Sequence, residues 1–182
     1  MKSEPSEVKQ LVNVGIIAAF ATLAFVGTIV IRIPIPATGG YFNLGDTFVM
    51  AAGLLYGPLI GGLVGFIGPA LADAIGFPQF ILATAVVKGV EGTVIGLIGG
   101  KTKGSSLVRP VSALSAGIVI LVGGYFVFEA IIYPLLAKFV PFFGVTDAKA
   151  AMAEVIPNLL QGIVSAVIAF GIWRVFSKKV EM

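Results

Sequence analysis

The sequence has no cysteine and no histidine. Disulfides, thiolate or imidazole metal sites, and nucleophilic chemistry of the Cys or Ser-His kind are therefore excluded, and neither a bound metal nor another cofactor is expected. It also lacks a G-x-x-x-x-G-K-[ST] phosphate loop, so it cannot by itself couple ATP hydrolysis to work. Charge is scarce: 12% of its 182 residues are Asp, Glu, Lys or Arg, against about a quarter in soluble domains. What fills the chain instead is apolar, 58% by count with a mean hydropathy of +1.06. A soluble core of this size cannot hide so much apolar surface, so the solvent is a lipid bilayer. Strands of about ten alternating residues, as a membrane barrel needs, are absent. In lipid each backbone polar group must then be satisfied within its own segment, which predicts an all-α integral membrane protein.

The pI near 9.3 raises nucleic acid as a partner. However, the basic residues lie in small groups beside apolar spans, as the positive-inside rule describes, and nucleic-acid binding is not expected. Apolar runs occupy 11–31, 44–75, 80–99, 111–136 and 155–176. The first follows a polar stretch, Met1 to Lys9, and its 21 residues exceed the core of a cleavable signal peptide, so it reads as a retained span. The second, as one helix of 32 residues, would be roughly 48 Å long against a hydrocarbon core of roughly 30 Å. Gly57-Pro58 offers the break, giving 44–56 and 58–75.

Loop charge tests that division. With six spans and the N-terminus inside, Lys2, Lys9, Lys101, Lys103, Arg109, Arg174, Lys178 and Lys179 are cytoplasmic and only Arg32, Lys138 and Lys149 are external, eight against three. With five spans the bias reverses. The prediction is a single domain, residues 1–182, forming a six-transmembrane-helix bundle with both termini cytoplasmic. The long loops 32–43 and 139–154 are both external.

Ionisable residues inside the spans, Asp46, Asp73, Lys88, Glu91 and Glu129, would each cost about 2.5–3.5 kcal/mol at mid-bilayer and must meet a partner, a cavity or an interface. Asp46 and Asp73 lie near outer span ends and read as interfacial or structural groups. Lys88 and Glu91, three residues apart, share a helix face and read as a structural pair. Phe80 and Thr84 continue that face outward. Tyr125, Glu129 and Tyr133 fall at i, i+4, i+8, and Asn158, Gln161 and Ser165 at i, i+3, i+7. Together they suggest a pocket opening outward, with aromatic faces for a flat ring and amides or a carboxylate for its polar edge. Helix–helix hydrogen bonding would satisfy the same amides. Small residues recur at helical spacing in 57–65 and 92–100, suited to close helix packing. Gly15, Ala18, Ala19 and Thr22 spread over more than one face of the first span, a candidate partner surface.

The stretch Ile33-Pro34-Ile35-Pro36-Ala37-Thr38-Gly39-Gly40-Tyr41-Phe42-Asn43-Leu44-Gly45-Asp46, the Gly-rich helix ending Ala70-Leu71-Ala72-Asp73, Lys88-Gly89-Val90-Glu91-Gly92 and the 158–161 segment resemble the substrate-binding S components of energy-coupling factor (ECF) vitamin transporters, especially the riboflavin-type group. The resemblance implies a six-helix subunit that binds a small heteroaromatic vitamin or precursor from outside under a lid formed by the first loop. Riboflavin is the first expectation, with pyridoxine-like compounds and hydroxymethylpyrimidine next. It also implies a transmembrane T component and two cytoplasmic ATPases as partners, with the S component toppling in the cell membrane to deliver its ligand. Small residues of the first helix dock the T component in that family. The strict Ala-x-x-x-Ala form is missing here, and Gly15/Ala19 with Ala18/Thr22 would take its place. The expected substrate site is Tyr41, Asn43, Phe80, Thr84, Tyr125, Glu129, Tyr133, Asn158 and Gln161. The alternative is an autonomous ion-coupled secondary transporter using Asp73 or Glu129. An intramembrane enzyme is disfavoured, because carboxylates spread over separate helices supply no catalytic constellation.

Overall fold

A computed structural model describes residues 4–36, 38–100, 107–143 and 146–180. The charges counted at Lys2, Lys101 and Lys103, the side chains of Lys178 and Lys179, and Ala37 and Gly144 of the long loops lie outside the described residues. Helix α1, Glu4–Val30, leads into a short antiparallel hairpin, β1 Ile33–Ile35 and β2 Gly40–Phe42, with Pro34 opposite Tyr41. Then come α2 Asp46–Tyr56, α3 Pro58–Ala74, α4 Ile81–Gly99 and α5 Val108–Val127. A π-helical turn, Phe128–Ile132, joins α5 to the short α6, Tyr133–Ala137, and α7 runs from Ala148 to Val180.

Four stretches are long and apolar enough to cross a membrane: Glu7–Val30, Pro78–Gly99, Val108–Ala137 and Ala148–Ser177. The apolar helices α2 and α3 are shorter, 11 and 17 residues. Between them Gly57 takes φ 91°, open to glycine at no steric cost, and Pro58 starts the next helix where its missing N–H is not needed. Helix α1 begins before its apolar run because Glu4, Glu7, Lys9 and Gln10 are good helix formers. Helix α7 likewise starts about two turns before the expected Val155. Its Ala-rich segment favours helix, and Asp147 accepts a hydrogen bond from the Ala150 N–H at 2.8 Å at its head. Glu154 therefore sits on a helix and not in a loop.

The outer surface is a belt of exposed Leu, Val, Ile and Phe, including Leu59, Leu97, Val119 and Val167, a patch far larger than a soluble monomer tolerates. Ionisable side chains are the ones inside: Asp46, Asp73, Lys88, Glu91, Glu129 and Glu154 are all buried. Helix α2 is enclosed by its neighbours, with Asp46, Thr47 and Val49 to Leu55 all buried. A short helix surrounded by protein need not match the bilayer thickness.

Close approach among α2, α3 and α4 depends on glycine. A Cβ at Gly61 would lie 2.6 Å from the Gly53 Cα and 2.5 Å from the Gly92 carbonyl oxygen, and one at Gly65 would run into the Lys88 carbonyl. These small-residue stripes thus pack within the bundle. Apolar clusters fill the rest. Met50, Leu54, Ile95, Leu114 and Trp173 join α2, α4, α5 and α7, and Ala24, Val49 and Val64 join α1, α2 and α3. Gly65→Leu is expected to destabilise the bundle by about 2 kcal/mol or more. Gly171→Leu, at a position with open space around the added Cβ, should leave the thermal unfolding midpoint in detergent unchanged.

Candidate functional site

The four residues Asn43 to Asp46 form a turn that positions everything around them. Asn43 Oδ1 accepts a hydrogen bond from the Gly45 N–H at 2.9 Å, an Asx turn that leads into α2. Gly45 presses on α1: a Cβ there would lie 2.9 Å from the Ala24 carbonyl oxygen and collide with Thr28 Oγ1. Asp46, first residue of α2 and favoured there by the helix dipole, then points into the bundle. It forms an ion pair with Lys88 and accepts a hydrogen bond from Gln161 Nε2 at 2.7 Å. Gln161 Oε1 in turn accepts from the Asn43 N–H at 2.7 Å. One amide side chain on α7 thus ties the hairpin exit and the start of α2 to the same point.

This corrects the expected Lys88–Glu91 pairing. A residue three positions along the same helix can be reached, but Asp46 approaches from another helix with its carboxylate already oriented, and Lys88 pairs with it. Lys88 also stands 5.2 Å from the centroid of the Tyr125 ring. Both Glu91 carboxyl oxygens are buried with no hydrogen-bond partner among the described residues.

Above the ion pair lies a cavity. Tyr41 and Asn43, Phe80 and Thr84, Tyr125 and Glu129, and Asn158 and Gln161 line it. Thr28, Gly40, Pro69, Asp73, Lys88 and Glu154 complete the wall. Free space within is about 30 Å³, room for about one water molecule. A ring-bearing ligand therefore enters only if part of the wall moves.

Tyr133 stands outside this lining. The π-helical turn between Tyr125 and Tyr133 takes up an extra residue, so positions beyond it fall out of phase with those before it. Tyr133 is instead fully buried against Phe80, Phe128 and Phe143, and its hydroxyl accepts from the Ala83 N–H at 3.3 Å. Ser165 is buried too, below Gln161 on α7, without a place in the wall.

The hairpin closes the cavity from above by two polar contacts. Thr38 donates a hydrogen bond to Glu154 Oε1, and a Cβ at Gly40 would lie 2.6 Å from that same oxygen, so only glycine lets the strand come so close. The Tyr41 hydroxyl donates to Asp73 Oδ1. Burial, reinforced by the Asp73 charge and hydrogen bond, pushes the Tyr41 phenol well above its usual range, so it stays protonated and keeps donating. The Tyr41 ring packs on Phe77 at 4.4 Å between centroids, and the Arg32 guanidinium lies over both rings while donating to the Ala72 carbonyl at 2.7 Å.

Deeper in, Thr84 Oγ1 and the Tyr125 hydroxyl share a 2.9 Å hydrogen bond. Asn158 Nδ2 donates to Glu154 Oε2 at 3.3 Å. Asp73, Lys88 and Glu154 lie outside the expected substrate site, and Asp73 enters the sequence reading only as an ion site of the alternative transporter. Asp73 and Glu154 sit at or near helix ends that read as interface or loop, and the role of Lys88 depends on a helix distant in sequence.

Removing the ammonium should strand a buried carboxylate. Lys88→Met is expected to destabilise the protein by about 3 kcal/mol. The double variant Asp46→Asn/Lys88→Met should recover part of that loss, read as thermal unfolding in detergent. Equal destabilisation by the single and double variants would remove the ion pair as its cause.

The family model described as "ECF-type riboflavin transporter, S component" matches residues 6–178. An uncharacterized protein of Pyrococcus woesei, described by its place in a gap 3′ region, is 33% identical over 155 residues, 85% of this chain and 95% of that one. A UPF0397 protein of Clostridium perfringens is 34% identical over 97 residues, 53% of this chain and 50% of its own length. Among solved structures, one described as "Structure and mechanism of the S component of a bacterial ECF transporter" has a TM-score of 0.67 over 95% of this chain and 99% of that one, at 18% identity, a likeness of fold. Matched along nearly its whole length, and embedded in the membrane by its apolar helices, this chain belongs to the ECF-type riboflavin transporter S component family.

Proposed function

We propose that this chain is the substrate-capturing subunit of an ATP-driven ECF importer and binds a small heteroaromatic vitamin or vitamin precursor from outside the cell. The observation that carries the reading is the polar cavity beneath the hairpin, walled by aromatic rings and hydrogen-bonding side chains from β2, α3, α4, α5 and α7. Membership of the S component family supports the transport role. The charge bias of the loops, eight against three, supports six crossings with both termini cytoplasmic and the cavity facing outward. In this reading the hairpin is the lid. Opening it breaks the Thr38–Glu154 and Tyr41–Asp73 hydrogen bonds, and the incoming ligand replaces them. By family membership alone riboflavin heads the ligand classes, with pyridoxine-like compounds and hydroxymethylpyrimidine beside it.

Energy would come from a T component and two cytoplasmic ATPases. Gly15, Ala18, Ala19 and Thr22 are all exposed on α1, while Ala21, Ala24 and Thr28 of the same helix are buried against the bundle. The Thr22 hydroxyl is satisfied by the Ala18 carbonyl at 2.8 Å, leaving that face without an unmet polar group. This face is the proposed T-component docking surface. The carboxyls of Asp73 and Glu129 in the cavity wall favour, as a second reading, an ion-coupled carrier working alone.

Protein purified from cells is expected to carry a small heteroaromatic compound identifiable by mass spectrometry. Reconstituted alone it should not accumulate that compound along an ion gradient; gradient-driven uptake without ATP would establish the second reading instead. Ala18→Leu/Ala19→Leu should abolish co-purification with the T component while ligand capture by the isolated subunit stays within about twofold. Unchanged co-purification would move the docking surface elsewhere.

A further inference from the structure

The proposed function leaves the chemistry of the ligand open, and the charges around the cavity narrow it. Three carboxyl groups line the wall, Asp73, Glu129 and Glu154, against one ammonium, Lys88. Lys88 is already matched by Asp46 behind it, and the Arg32 guanidinium is turned to the Ala72 carbonyl and the faces of Tyr41 and Phe77. Asp73 is met by the Tyr41 hydroxyl, and Glu154 by Thr38 and Asn158.

Glu129 differs from these. It is only 1% exposed, it stands within hydrogen-bonding reach of the Glu154 carboxyl, and its Oε2 has no hydrogen-bond partner among the described residues. Two carboxyl groups thus meet directly in the cavity wall, one with an oxygen unspent, and no cation in the wall is left for them. One shared proton relieves the repulsion between them, but it leaves the pair with a negative charge and a free acceptor, Glu129 Oε2, which a positively charged or N–H-rich group would match.

We propose that the cavity takes a ligand carrying a protonated nitrogen, an amine or a basic nitrogen ring, held against the paired carboxyl groups of Glu129 and Glu154 at the free Glu129 Oε2. The aromatic side chains fit this assignment: Tyr125 and Phe80 offer ring faces to the rest of such a molecule, and the electron-rich face of Tyr125 suits a cation as well as a ring. A neutral flavin fits less well, because its ring edge carries several carbonyl and imine acceptors and would set them against carboxylates. Glu154 also accepts from Thr38 of the hairpin turn, so the residue that grips the ligand is the one that holds the lid.

This inference rests on the reading of the chain as a vitamin-capturing subunit, and one experiment separates the two. Wild-type protein in detergent is titrated calorimetrically with pyridoxamine, 4-amino-5-hydroxymethyl-2-methylpyrimidine and riboflavin, and the binder is repeated on Glu129→Gln, Glu154→Gln and the double variant. The expected result is that a basic probe binds in preference to riboflavin and that each single variant weakens it at least about tenfold. The comparison of probes on wild-type protein stands even if a variant fails to fold. Riboflavin binding in preference to both basic probes overturns the inference and leaves vitamin capture intact. So does a basic probe bound equally well by wild type and the double variant. Failure of all three probes, with no small molecule extracted from the purified protein, overturns both.

Discussion

The ion pair between Asp46 and Lys88 is the constraint on which this structure turns. A lone ammonium or carboxylate in the interior of a lipid-embedded bundle is costly, so each residue requires the other, and meeting that requirement fixes α2 against α4. Asp46 can reach Lys88 only because Gly45 lets the chain pass against α1 and because the Asn43 turn starts the helix at that point. Gln161 then adds α7 to the same node. A polar centre of this kind specifies one arrangement of helices in a solvent where apolar faces discriminate poorly between partners.

Around that node the distribution of polarity is the reverse of a soluble protein. Leucine and valine cover the outside, while carboxylates, amides and hydroxyls gather within. The glycines of α2, α3 and α4 allow backbones to touch, which draws these helices together on one side. At the hairpin end the aromatic cluster of Phe80, Phe128 and Tyr133 fills the space beside the polar cavity. The cavity is therefore bounded below by the ion pair, on one side by packed rings and above by the hairpin. Each boundary uses a different interaction. The hairpin lies over the cavity on the Thr38–Glu154 and Tyr41–Asp73 hydrogen bonds and the tilted Tyr41–Phe77 ring contact, and is the boundary best suited to moving.

How much of this could be read from the chain depends on how local the cause is. The break at Gly57-Pro58 is written in two adjacent residues whose backbone preferences suffice. The polar faces 80/84 and 158/161 follow from helical periodicity, and their residues meet in one cavity. The same periodicity sets Tyr133 on the stripe of Tyr125 and Glu129, and a π-helical turn that leaves no plain mark in the sequence rotates it away. Glu154 reads as the end of a loop because the apolar run starts only at Val155, although the helix starts upstream at Ala148. The short hairpin in the first loop likewise needs a pairing of Pro34 with Tyr41 across a turn, which strand length alone does not announce.

By itself the sequence determined that this protein lives in a membrane and that its interior charges must be few and partnered, and the balance of lysine and arginine set the expectation of which loop faces which side. Those are properties of composition and spacing, summed along the chain. Only the tertiary structure decided the partners. Lys88 had Glu91 within reach on its own helix and took Asp46 from another, and Glu129 met Glu154 across a gap of 24 positions in the sequence. Pairing between helices is a question of distance in space, and periodicity within a helix carries no information about it.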